Sequence, residues 1–137
     1  MLFLADHIAW ETPAGRRLDA FARALPRQPR FEVNVFGSAP IQLFVEPTFT
    51  SADIDLFGDN DDVYDALLRF VEAQGWTQDK AVEFYIQVCD PLAFKSTFDW
   101  RSRAIEAERH GHLFRFVHPW DVLVSKLQRL EEKDLNA

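Results

Sequence analysis

Two short segments, RFEVNVFG and SADIDLF, constrain the fold most, because each alternates apolar and polar residues with a period of two. Phe31, Val33 and Val35 fall on one side of the first, and Ile54 and Leu56 on one side of the second. Such strands make a sheet with an apolar face, and that face has to be covered. The cover is legible around them. PAGRRLDAFARAL opens with Thr12 as N-cap and Pro13 at the first helical position, and sets Leu18, Phe21, Ala22 and Leu25 at helical spacing with the arginines outward. Gly37 breaks the first strand, and a short helix follows from Ser38 to about Phe44. The second strand runs from Ala52 to Phe57. GDNDDVYDALLRFVEAQG then predicts a helix capped by Asn60 or Asp61 and stopped at Gly75.

In the second half, AVEFYIQVCDP is a third strand, with Phe84, Ile86 and Val88 on one side and Pro91 at its end. RAIEAERHGHLFRFVH predicts a hairpin turning at His110-Gly111. The last helix runs from Pro119 to about Asp134, with Val122, Leu123, Leu127 and Leu130 as its inward stripe. The order predicts an α/β (α+β) fold, a mixed β-sheet flanked by helices. With 137 residues, 47% of them hydrophobic, the chain suits one domain spanning 1–137.

Fifteen Lys and Arg stand against twenty-two Asp and Glu, which disfavours a general phosphate-tracking surface. Arg16, Arg17, Arg23, Arg27 and Arg30 still crowd the first thirty residues and could form a local patch. The single cysteine, Cys89, has no partner for an internal disulfide, so a reducing, cytoplasmic location is expected. No membrane association is expected, since no run reaches the roughly 18 apolar residues of a span and MLFLADHIAWE has neither a basic leader nor a long apolar region.

Chemistry concentrates between Asn34 and Gly58. Gly37-Ser38 stands where a strand hands over to a helix, where a glycine permits a close turn and backbone N–H groups are available to an anion. That geometry suits a phosphate, although the same junction also serves as a plain turn and cap. Ile54 and Leu56 claim the core side of their strand, so Asp53 and Asp55 share the other, roughly 6–7 Å apart at the backbone. Two like charges in a poorly solvated cleft call for a divalent cation, and an edge strand with its polar face in water is the alternative.

A strand, Gly-Ser, a helix, then a strand carrying Asp-x-Asp resembles the nucleotidyltransferase superfamily related to DNA polymerase beta, at Gly37, Ser38, Asp53 and Asp55. HPWDVLVSKLQRLEEKDLNA is similar to a segment of small bacterial nucleotidyltransferase-like proteins akin to the abortive-infection type IV toxin, with Pro119, Asp121, Lys126, Lys133 and Asp134 in register. The two matches bracket Phe31 to Leu135. The resemblance implies transfer of a nucleoside monophosphate from a nucleoside triphosphate to a hydroxyl. Gly37 and Ser38 would hold the terminal phosphates, Asp53 and Asp55 would hold Mg2+ or Mn2+, and Lys126 or Lys133 would contact a phosphate. The acceptors of such proteins include transfer RNA, proteins and small molecules, and nothing in this sequence selects among them.

The sequence departs from the pattern at three places. The spacing from Ser38 to Asp53 is slightly long, and Pro47 with the TFTS loop could absorb the excess. The third carboxylate belongs on the strand after the long helix, where Gln87 aligns; Glu83 and Asp90 are the nearby substitutes. An amide is neither a base nor a good magnesium ligand. Near the C-terminus, Glu131 takes the place where relatives carry an arginine. The alternative reading is therefore a catalytically inactive module of the same fold that binds nucleotide or a protein. Two other sites fare worse. An EF-hand reading of DIDLFGDNDD lacks ligands at Phe57 and Tyr64, and a metal at His110 and His112 would rest on two rings exposed by one turn.

Overall fold

The computed structural model describes residues 8–47, 54–76, 86–90, 94 and 98–135, with side chains described up to residue 128 of the last helix. Its elements are α1 (Pro13–Ala24), β1 (Glu32–Phe36), α2 (Ala39–Phe44), β2 (Ile54–Phe57), α3 (Asp61–Ala73), β3 (Ile86–Val88), α4 (Trp100–Arg103), β4 (Ile105–Arg109), β5 (His112–Phe116) and α5 (Pro119–Leu135). One sheet has the order β3-β2-β1-β5-β4. β1 pairs antiparallel with β2 and parallel with β5, β2 pairs parallel with β3, and β4 and β5 form a hairpin. The fold is the expected mixed sheet flanked by helices.

Local chemistry accounts for the element ends. Thr12 accepts from the Gly15 backbone N–H to cap α1, and Asn60 accepts from Val63 N at 3.0 Å to cap α3. The β4–β5 turn is His110-Gly111, both at positive φ, 52° and 86°, the mirror-image turn that suits a two-residue hairpin.

The two sheet faces differ in kind. Val33, Val35, Ile54, Leu56, Ile86, Phe114 and Phe116 lie on the main core side, under Leu18 and Phe21 of α1 and Leu67 and Val71 of α3. The other face carries a smaller aromatic cluster in which Phe36 and Phe57 pack with Phe94, Val122 and the partly buried Trp100. Next to it, Arg115 is nearly buried in the sheet, donating to Asn34 Oδ1 at 2.9 Å and to Glu32 Oε1 at 3.1 Å.

Two sequence expectations need correction, and a third falls outside the described residues. The inward stripe of the last helix is not Val122, Leu123 and Leu127: Val122 is buried, but Leu123 and Leu127 are 47% and 61% exposed, and Asp121 and Ser125 point inward instead. Asp121 is accommodated because Arg103, from the unforeseen α4, donates to both its carboxylate oxygens at 2.9 and 2.7 Å. Leu130 lies where side chains are not described. The hairpin exposes His110 only in part and buries His112 completely, because His112 is already the first residue of β5 and takes the core side. Finally, the second strand is described from Ile54 onward, so its start at Ala52, like Phe84 and Pro91 of the third, lies outside the described residues.

Candidate nucleotide site

The site grows from the register of three strands. Phe36 faces Asp55 across the antiparallel β1–β2 ladder, and Gln87 faces Asp55 across the parallel β2–β3 ladder. Opposed residues in a ladder share a face. Asp55, partly buried on the central strand of the three, therefore has Gln87 as its immediate neighbour on one side and the end of β1 on the other. At that end the chain turns through Gly37 at φ +72°, and Ser38 precedes α2 as its N-cap. A Cβ built on Gly37 would overlap a carboxylate oxygen of Asp55. The glycine thus lets backbone and carboxylate share one corner, which a side chain would fill.

Of the residues singled out in the sequence, Gly37, Ser38, Asp55 and Gln87 come together here. Asp53 and Glu83 lie outside the described residues. Asp90 is exposed just beyond β3. Lys126 sits on α5 beside an apolar strip formed by Trp120, Leu123, Val124 and Leu127. Lys133 is on the same helix, with its side chain outside the described set.

A magnesium ion bound with a triphosphate needs only one or two carboxylates, the remaining positions being phosphate oxygens and water. Among the described residues, Asp55 is the carboxylate at this corner. A second ion needs a further acid, and the residue in register is the amide of Gln87. Among the described residues, no group of three or more His, Cys, Asp or Glu side chains is placed to hold a metal.

The polar half of the same face holds residues that sequence reasoning passed over. Asp59 accepts from Asn34 Nδ2 at 2.8 Å, pairs with Arg101, and stands 3.6 Å from Arg115 Nη1. Burial raises its pKa, but the hydrogen bonds from Asn34 and Arg101 and the two arginine charges outweigh that and hold it below the usual carboxylate value. Asp59 had been legible only as an acidic residue before a helix; the arginines that claim it are over forty residues away in the chain. This also accounts for one acid of the EF-hand-like run, which is committed to arginine.

Comparison with protein families matches residues 16–137 to a family described as nucleotidyltransferase of unknown function (DUF6036). No curated protein and no solved structure matches the chain.

Proposed function

The chain belongs to this nucleotidyltransferase family, and from that premise we propose that it binds a magnesium–nucleoside triphosphate at Gly37, Ser38, Asp53 and Asp55 and transfers the nucleoside monophosphate to a hydroxyl acceptor. The observation that carries this reading is the corner shared by Gly37 and Asp55, where a glycine at positive φ lies against a carboxylate. Half-buried glycine backbone beside a carboxylate suits an anion accompanied by its cation better than it suits either alone. Gly37 would leave room for the terminal phosphates, and the Ser38 hydroxyl would donate to one phosphate oxygen. Magnesium, held by Asp53 and Asp55, would offset charge on the attacking and leaving oxygens. The acceptor oxygen bonds to the α-phosphorus while pyrophosphate departs.

A second reading, nucleotide binding without transfer, is favoured by Gln87 in register with Asp55. It leaves no acid at that position to take the acceptor's proton. Incubation with each of the four nucleoside triphosphates, labelled at the α-phosphate, in cell extract separates the two. Transfer of label that disappears in Asp55→Asn supports the enzyme, and binding without transfer from any of the four supports the second reading.

A further inference from the structure

Positive charge gathers on one flank of a chain that is acidic overall. Between Pro13 and Phe31 stand five arginines and a single carboxylate, Asp19, against a net charge of -7 for the whole molecule. Arg16 and Arg23 lie two turns apart on one exposed face of α1, about 10 Å along its axis, and exposed Arg27 follows the helix end. The hairpin adds to this flank. Asp19, between Arg16 and Arg23, accepts from Arg23 Nη2 at 3.1 Å and Arg109 Nε at 2.7 Å, and lies 2.9 Å from His110 Nε2. One carboxylate thus answers two arginines and a histidine. Arg109 is further fixed over the Trp10 ring, 4.5 Å from its centroid. Arg16 and Arg27 pair with no carboxylate among the described residues.

The chemistry of this flank selects its partner. A merely solvated helix face intersperses the two signs, because like charges on adjacent turns repel. An excess of one sign is held against that repulsion and attracts an anion. Every permanent cation here is an arginine, whose planar fork takes two oxygens of a phosphate at once. A protein partner would need an apolar anchor, and a membrane surface is entered by apolar side chains. Among the described residues, the large exposed apolar side chains, Val45, Phe98, Trp120, Leu123 and Leu127, all lie on other segments. A row of arginines without an anchor matches a chain of repeated phosphates, which is held by charge and hydrogen bonds. We propose that α1 and the β4–β5 turn form a nucleic-acid-binding surface, on which Arg16, Arg23, Arg27 and Arg109 contact phosphates along one strand. The distribution of charge carries this proposal without reference to the nucleotide site.

Fluorescence anisotropy of a labelled single-stranded oligoribonucleotide of mixed sequence, titrated with the full chain, tests it, with circular dichroism to verify that each variant is folded. Binding should weaken with salt, the logarithm of affinity falling with a slope of about −3 against the logarithm of salt concentration for four phosphate contacts. Changing Arg16, Arg23 and Arg27 together to Gln should lower affinity at least about tenfold and flatten the slope by about 2. Changing the same three to Lys should keep the slope, since the charges remain. Arg27→Gln alone should weaken binding about threefold. Arg69→Gln, the same change in net charge placed on α3, should leave it unchanged. No binding at low salt overturns the proposal, as does binding that the folded triple variant retains, or equal losses from Arg27→Gln and Arg69→Gln. Polyglutamate that competes as well as the RNA would make the flank a general anion binder, and capture of phosphatidylserine vesicles in place of RNA would assign it to a lipid surface; either result also overturns it.

Discussion

Gly37 is the residue on which the phosphate reading turns. Its φ of +72° costs an L-residue about 1–2 kcal/mol, and any Cβ there meets the Asp55 carboxylate. Both effects push in the same direction, so Gly37→Val is expected to remove triphosphate binding. Ser38→Ala removes one hydrogen bond, about 0.5–1.5 kcal/mol, or about a two- to tenfold loss of affinity. A fluorescence titration with a nucleotide analogue measures both, with circular dichroism to show that the valine variant is folded; equal tolerance of the two changes would count against the cradle. The carboxylates carry a separate expectation. Changing Asp53 and Asp55 together to Asn should abolish Mg2+ or Mn2+ binding in titration calorimetry, and unchanged metal affinity would remove the metal site from the proposal.

At the scale of elements, the β4–β5 hairpin carries a pH dependence. His112, fully buried at the start of β5, accepts from the Phe31 backbone N–H through Nδ1 at 3.0 Å, which requires that nitrogen to be unprotonated. Burial lowers its pKa, with the charges of Arg30 and His110 acting the same way and backbone hydrogen bonds at Leu25 and Pro26 opposing. The unfolded imidazole takes up a proton near pH ~6.5, whereas the folded one does so only at lower pH. The stabilisation is therefore complete above that pH and is lost as pH falls towards the folded value. Urea unfolding should show stability falling between about pH 7.5 and 5, more steeply than in His112→Gln. His118, also lowered chiefly by burial, leaves a residual slope of the same sign. An undiminished slope in the variant would refute the assignment. The hairpin and its turn were legible because Gly111 and the flanking alternation are local signals, as were the caps at Thr12 and Asn60. The burial of His112 was not, since it depends on which side β5 turns to the core. α5 shows the same limit more sharply. Its sequence holds apolar residues on two sides, and periodicity alone does not tell which side docks. Arg103 decides it by drawing Asp121 inward, from a four-residue helix too short to leave a periodic signature.

At the scale of the whole molecule, the candidate site is a property of the sheet rather than of any one segment. Strand order β3-β2-β1 and the two registers set residue 87 beside Asp55, and Gly37 follows directly from the residue facing Asp55 on the other side. The sequence allowed an alignment of Gln87 with the missing third acid, but only the parallel β2–β3 pairing gives that alignment a physical neighbour. If position 87 is the place for a metal ligand, a carboxylate there should strengthen cation binding. A unit charge about 4 Å from a monovalent ion is worth about 1 kcal/mol in water and about 4 kcal/mol at the effective dielectric of a protein surface. A divalent ion gains more, while repulsion from Asp55 in the metal-free protein returns part of the gain. Gln87→Asp is therefore expected to raise Mn2+ affinity at least about fivefold, an increase that Asp55→Asn in the same chain should cancel. Calorimetry measures that coupling directly, and the labelled-triphosphate assay on the same variant asks whether the added acid also raises transfer. Affinity unchanged by Gln87→Asp would mean that the side chain at 87 does not reach the cation, and the third ligand would have to come from elsewhere in the fold. Affinity that rises while transfer stays absent would place the protein among nucleotide-binding members of the fold whose missing activity is not due to residue 87 alone.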